Sequence, residues 1–331
     1  MAMIRRWCQS RPERVSARSS SGYERMSPRR WQQAARTMTE HFTDDPNIDK
    51  KDAALAAQRF RMLEDIAREL SAKDVSFPTC FDAALKIRNA LRDPDVQVRK
   101  VAQMIGMEPL VVVKLLRMAN SVAYNPGGRT VTDVDAAVMR IGLEATRTLA
   151  ISIAMDQLLR SKDLVCFGEL PKALWMHTLR TAAAARVVAG RLTRVNREEA
   201  MMAGLVHDLG AFYMLYRAAQ YEEMRIRPDS VRHLIAQWHE SIGESLMGAL
   251  GLPEHIIQAT REHDQPHALD YGVRTLEEVV YVANQLAGGM AGWLSSGKAT
   301  AEGYPALNDP ELIALADEIE AEYQALMAGL S

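Results

Sequence analysis

Four histidines and one aspartate carry the chemistry open to this sequence. His177, His207, His239 and His263 each fall on the apolar stripe of a different expected helix. His177 follows Leu174 and precedes Thr181 and Ala184; His207 follows Ala200 and Ala203. His239 precedes Ile242, Gly243 and Leu246; His263 follows Ile256, Ala259 and Thr260. All four fit the spacing that places residues on one helical face. A single inward histidine is ordinarily a hydrogen-bonded core residue. Four on separate helices, with Asp208 adjoining His207, favour convergence on a divalent metal ion, because imidazole and carboxylate suit borderline cations. His41, His233, His255 and His267 lack such a context and are expected at the surface.

Helices must position these groups, and helical spacing covers nearly everything from Lys50 onward. The pattern predicts helices over 51–71, 81–91, 95–105, 108–120, 131–141, 144–160, 171–192, 197–208, 229–249, 253–263, 274–290 and 309–329. The first carries Leu55, Phe60, Leu63, Ile66 and Leu70 near one stripe; the last carries Leu312, Leu315, Ile319, Tyr323 and Leu326. Start signals stand at Asp133 or Thr132, Pro171, Asn196 and Asp309-Pro310, and Gly106, Gly142, Gly210 and Gly251 are read as stops. No alternating run is long enough for a sheet. The expected fold class is all-α, with ten or more helices.

Composition removes several functions. The chain has 331 residues, 48% of them hydrophobic, but no apolar run of membrane-spanning length. Three cysteines, Cys8, Cys80 and Cys166, lie far apart, which excludes a disulfide scaffold and fits a reducing cytoplasm. The net charge of −2 combines a basic stretch over residues 1–30 with an acidic remainder. The basic stretch reads as a disordered tail, with Met1 or Met26 as the start, and the acidic body disfavours nucleic acid. Residues 98–120 imitate a helix-turn-helix through Ala102 and Gly106. Their second helix opens Pro109-Leu110-Val111-Val112-Val113, which cannot hydrogen-bond to base edges.

The segments KLLRMANSVAYNP (114–126), AVMRIG (137–142), ALWMHT (173–178), EEAMMAGLVHDLG (198–210) and WHESIGESLMGALGLPEHIIQATREH (238–263) resemble, in that order, the HDOD (HD-related output domain) family. The resemblance runs from about Phe77 to about Ala287. It implies an all-helical relative of the HD phosphohydrolases, and a non-enzymatic bacterial regulatory module acting through contacts with signalling proteins. Carried over from the HD enzymes, the metal set is His177, His207 and Asp208, with the final aspartate replaced near Asn284. Asn284→Asp is therefore expected to tighten metal binding. His239 and His263 resemble further histidines of the HD-GYP phosphodiesterases, but Ala211 stands where those enzymes carry lysine. The alternative reading is a metal-dependent phosphohydrolase or phosphodiesterase acting on a nucleotide.

Around NSVAY, Asn120 and Ser121 read as helix-ending groups and Tyr124 as a packing anchor for the loop. The expected layout is a basic tail and linker over 1–45, a helix within 46–75, the HDOD domain over 76–290, and a linker with a C-terminal helix over 291–331. That last helix would pack on its own domain or form a homodimer or partner contact. Neither a membrane nor a specific nucleic acid is an expected partner.

Overall fold

The computed structural model describes residues 53–72, 75, 98–294 apart from 107, 123, 160, 266–268 and 270–271, and 309–330. The expected basic tail and the expected 81–91 helix lie outside these residues. The chain divides into two compact units, Met1–Asp74 and Val75–Ser331. Among the described residues every regular element is a helix.

In the first unit, α1 spans Ala53–Ala72. Its buried stripe is Leu55, Arg59, Met62, Leu63, Ile66 and Leu70, so Arg59 takes the inward place expected for the half-buried Phe60. Charge made the sequence pattern misleading there: four-residue spacing from Leu55 reaches the arginine, not the aromatic ring.

The second unit contains α2 (Val98–Gly106), α3 (Pro109–Ala119), α4 (Val134–Ile141), α5 (Leu143–Leu159), a 3-10 turn (Lys162–Phe167) and α6 (Leu170–Leu192). There follow α7 (Arg197–Val206), α8 (Leu209–Ala218), α9 (Glu222–Ile226), α10 (Pro228–Ala249), α11 (Glu254–Ala259), α12 (Leu276–Leu286), α13 (Gly289–Leu294), α14 (Pro310–Ile313) and α15 (Ala316–Leu330). Several starts are chemically marked. Asp133 accepts from the Ala136 amide at 2.7 Å, Asn196 accepts from the Glu198 amide at 2.9 Å, and Thr275 with Glu278 forms a capping box.

Helix α6 is the axis of this unit. Its run Thr181-Ala182-Ala183-Ala184-Ala185 is buried all round, and α7, α12, α13 and α15 pack against it. Small side chains allow the close approach: a Cβ on Gly204 of α7 would lie 2.9 Å from the Ala182 Cα. Ala184, Ala185, Val188 and Ala189 of α6 share a core with Ala200, Val279, Val282, Ala283 and Leu312.

Several boundaries depart from expectation, the 309–329 pattern among them, which breaks between Ile313 and Ala316. The 197–208 pattern ends at Val206, leaving His207 and Asp208 at a corner, and α8 begins at once with Leu209. Gly210 therefore does not stop a helix. It sits inside α8 where a Cβ would come 2.0 Å from the His239 carbonyl oxygen and 2.6 Å from the Gly243 nitrogen. The 253–263 pattern ends at Ala259, so His263 lies in the following turn. In α3, the second helix of the helix-turn-helix look-alike, Lys114 is buried in an ion pair with Asp156 at 3.0 Å.

The contact of α8 with α10 yields a two-sided prediction. Gly210→Ala should lower the unfolding free energy by about 3 kcal/mol, because backbone must move to admit the methyl group. Gly190→Ala, on exposed helix with open space beyond it, should raise it by up to ~1 kcal/mol. Denaturant midpoints measure both; equal responses would contradict the packing described.

Candidate metal centre

The corner between α7 and α8 places His207 and Asp208 against each other, with His177 from α6, His239 from α10 and His263 from the turn after α11. The Asp208 carboxylate is their common neighbour. Its Oδ2 lies 3.2 Å from His207 Nε2 and 3.6 Å from His177 Nε2. Its Oδ1 lies 3.3 Å from His263 Nε2 and 3.4 Å from His239 Nε2. All five predicted residues thus come together. Asp208 occupies the first cap of α8 but caps nothing, leaving both oxygens for the imidazoles.

The outer nitrogens fix how each ring is presented. Nδ1 of His207 donates to the Gly204 carbonyl at 2.7 Å, that of His239 to Ile235 at 2.8 Å, and that of His263 to Thr260 at 2.8 Å. Nδ1 of His177 faces the Ala287 carbonyl at 3.4 Å. A carbonyl can only accept, so each Nδ1 carries the hydrogen and each Nε2 is left as the inward group. The inward nitrogens crowd: His177 and His207 Nε2 atoms are 3.1 Å apart, and those of His239 and His263 are 3.4 Å apart. Facing lone pairs at such distances need a proton or a cation between them. Backbone-oriented imidazoles of this kind are how proteins prepare metal ligands.

Sequence reasoning missed a second carboxylate. Asp264 Oδ2 lies 3.1 Å from His239 Nε2 and 3.6 Å from His263 Nε2, and has no hydrogen-bond donor. The signal was present, since His263-Asp264 repeats the dipeptide of His207-Asp208. Glu262, at φ +53°, turns the backbone through the left-handed region just before the pair. That conformation costs a non-glycine residue about 1 kcal/mol. Glu240 stands behind them, accepting from the Asp264 amide at 3.3 Å.

Asn284 adjoins the cluster on the His263 side. Its Nδ2 donates to the His263 carbonyl at 2.9 Å and to Asp264 Oδ1 at 2.8 Å. The amide holds the Asp264 carboxylate in place, and its own Oδ1 is buried without a hydrogen-bond partner. A carboxylate at 284 would face a carbonyl and a second carboxylate, and metal-free protein should lose about 2 kcal/mol of stability. A rise in the metal-free denaturation midpoint would contradict this, and tighter Zn²⁺ binding by the variant would put position 284 among the ligands.

The donors form two groups, His177 with His207 and Asp208, and His239 with Glu240, His263 and Asp264. Asp208 offers one oxygen to each side. Nitrogen and carboxylate donors, with buried carboxylate oxygens lacking donors at both Asp208 and Asp264, fit a borderline divalent ion better than calcium or magnesium. Such an ion, when bound, supplies Lewis acidity.

Electrostatics differ between the groups. Burial lowers the His177 pKa to about 4, aided by His207. Burial also works against protonated His263, but Asp264, Asp208 and Glu240 overcome it and raise that pKa to about 10. His239 is raised too, against burial, through Asp264 and Asp208. Burial pushes both aspartates up, yet the surrounding imidazoles hold Asp208 and Asp264 well below the usual carboxylate range. Protons thus balance the carboxylates where no metal does. Metal entering the His239 side must displace a proton from a raised group, whereas His177 is already neutral at pH 7. We expect Zn²⁺ or Mn²⁺ uptake at pH 7 to release about one proton per ion on that side, with affinity rising as pH rises. Calorimetry in buffers of different ionisation enthalpy reads this; proton-independent uptake would place the ion elsewhere.

The comparisons with known proteins agree with this architecture. An HDOD domain model matches residues 77–266. An uncharacterized protein of Treponema pallidum (strain Nichols) is 28% identical over 218 residues, 61% of this chain; the match covers 40% of that longer relative. Among solved structures, a protein of Shewanella amazonensis SB2B described as a candidate metal-dependent phosphohydrolase superposes with a TM-score of 0.57. It is 20% identical, and the match covers 81% of this chain and 99% of that one. An HDOD domain protein of Geobacter sulfurreducens superposes with a TM-score of 0.51 at 21% identity, covering 81% and 93%. At these identities the structural likeness establishes fold, and the family model establishes kinship: the chain belongs to the HDOD domain family.

Proposed function

We propose that the chain is a regulatory module that holds a divalent transition-metal ion in its His–Asp cluster and acts through contacts with other signalling proteins, without turning over a substrate. The carrying observation is burial. His177, His207, Asp208, His239 and His263 are each at most 4% exposed. Trp293 closes one side, with its ring 6.2 Å from His177 and 6.4 Å from His239. Gly288 and Gly289, at φ +101° and +57°, make the turn from α12 into α13 that sets this tryptophan over the cluster. A phosphodiester must bring its phosphoryl group to the ion and its leaving group to a proton donor. Walls this closed favour a metal that fixes the junction of α6, α8 and α10. A cytoplasmic setting accords with separated cysteines and with the absence, among the described residues, of any helix long and apolar enough to cross a membrane.

The phosphohydrolase reading keeps one specific support. With Asp264 beside Asp208, two carboxylates and four imidazoles would share the charge of two divalent ions. Access then separates the readings.

Protein purified without chelator should contain zinc, manganese or iron. Supplied with Mn²⁺ or Fe²⁺ it should hydrolyse neither a cyclic dinucleotide nor bis(p-nitrophenyl) phosphate above background. Asp208→Ala should abolish metal retention and lower the melting temperature of the loaded protein by several degrees. Metal-dependent turnover, lost in His207→Ala, would give the site to the hydrolase.

A further inference from the structure

The C-terminal helix α15 lies in a groove of the second unit, and the groove and the helix are opposite in charge. Tyr323, Leu326 and Leu330 are buried there. The helix packs along α6 and reaches α3 and α5 with its last turn, where buried Lys114 donates to the Leu330 carbonyl. Its acidic residues are Asp317, Glu318, Glu320 and Glu322, and it has no basic residue. The receiving face supplies the cations. Arg191 meets Glu318 at 2.9 Å, Arg180 approaches Glu320 and lies 4.8 Å over the Tyr323 ring, and buried Arg186 pairs with Glu322.

Two further observations mark the groove as a receptor that does not depend on this occupant. Arg186 is held independently of α15, by Glu198 at 2.7 Å and by the Tyr124 hydroxyl at 3.0 Å, so its guanidinium stays in place when Glu322 leaves. Tyr124 therefore does more than pack its loop. The seam is also incompletely filled. A cavity of about 20 Å³ lies among Met118, Ser121, Leu149 and Met201, bordered on the helix side by Ala325 and Gly329. That is room for about one water molecule. The family match ends at residue 266, well before this helix.

We infer that the groove between α3, α5 and α6 is the docking site for an acidic amphipathic helix of a separate signalling protein, and that α15 is a built-in competitor for it. The recognition is the helix-in-groove kind, with apolar anchors three to four residues apart and carboxylates aimed at Arg180, Arg186 and Arg191. The α15 sequence states the chemistry the partner must match. This deepens the reading of the chain as a protein-contact module and rests on it, but it needs no metal.

The test uses the full chain and a fluorescent peptide of residues 309–331 as the probe. Wild-type protein, whose groove is filled in cis, should bind the peptide at least tenfold more weakly than Leu326→Ala protein, whose own helix is loosened. Adding Arg191→Glu, a change at a mostly exposed side chain, should weaken peptide binding to the loosened chain about fivefold. A peptide carrying Glu318→Arg should restore it, which misfolding would not allow. Equal binding to wild type and Leu326→Ala, binding of a scrambled peptide as tight as the native one, or no binding to either chain would overturn the assignment. A Leu326→Ala chain that sediments as a dimer by exchanging its helix would overturn it in favour of a second copy. None of these outcomes touches turnover, so an unreceptive groove and a working hydrolase site are distinguishable results.

Discussion

The second unit is organised around the need to neutralise one buried carboxylate. Asp208 is 1% exposed and has no hydrogen-bond donor of proper geometry, yet four imidazole Nε2 atoms stand within 3.6 Å of it. An isolated buried carboxylate costs several kcal/mol, so something cationic must share the space. Protonated imidazoles provide that charge in the metal-free state, and a divalent ion would provide more. The architecture follows from this demand. Three rings are aimed by carbonyls of their own helical turns, and close packing at Gly204 and Gly210 brings α6, α7, α8 and α10 near enough for the rings to meet.

The same cluster links the parts that communication requires. Helix α6 carries His177 on one face and Arg180, Arg186 and Arg191 toward the C-terminal helix. The junction of α12 and α13 supplies both the Ala287 carbonyl for His177 and the Trp293 ring over the cluster. A metal ion bound in the cluster would therefore touch the same helix that packs against α15. Coupling between them requires that the two events have different free energies in two states of α6.

Much of this was legible in the sequence. Helical spacing gave the fold class because α6, α10 and α12 bury broad apolar faces, and Asp133, Asn196 and Asp309 marked helix starts by their chemistry. The five ligand candidates were found because each histidine sat on an apolar stripe. What escaped notice had local causes. The α7–α8 corner was hidden because Leu205, Val206 and Leu209 carry apolar continuity through it, and only packing against His239 and Gly243 explains Gly210. Asp264 falls one residue beyond the 253–263 pattern, outside the apolar stripe that singled out His263, and the left-handed Glu262 shapes the turn that carries both. Asn284 was matched by order along the chain, and its contacts with His263 and Asp264 could be read only from the fold.

X-ray absorption at the metal edge, on protein loaded with one equivalent of Zn²⁺, tests the central claim most directly. The account predicts a shell of nitrogen and oxygen donors with the multiple scattering of at least two imidazoles, unchanged when an excess of a phosphate ester is added, because Trp293 and its neighbours keep the ion from external ligands. A spectrum that gains a phosphorus scatterer on that addition would show an open, substrate-accessible metal and contradict the account.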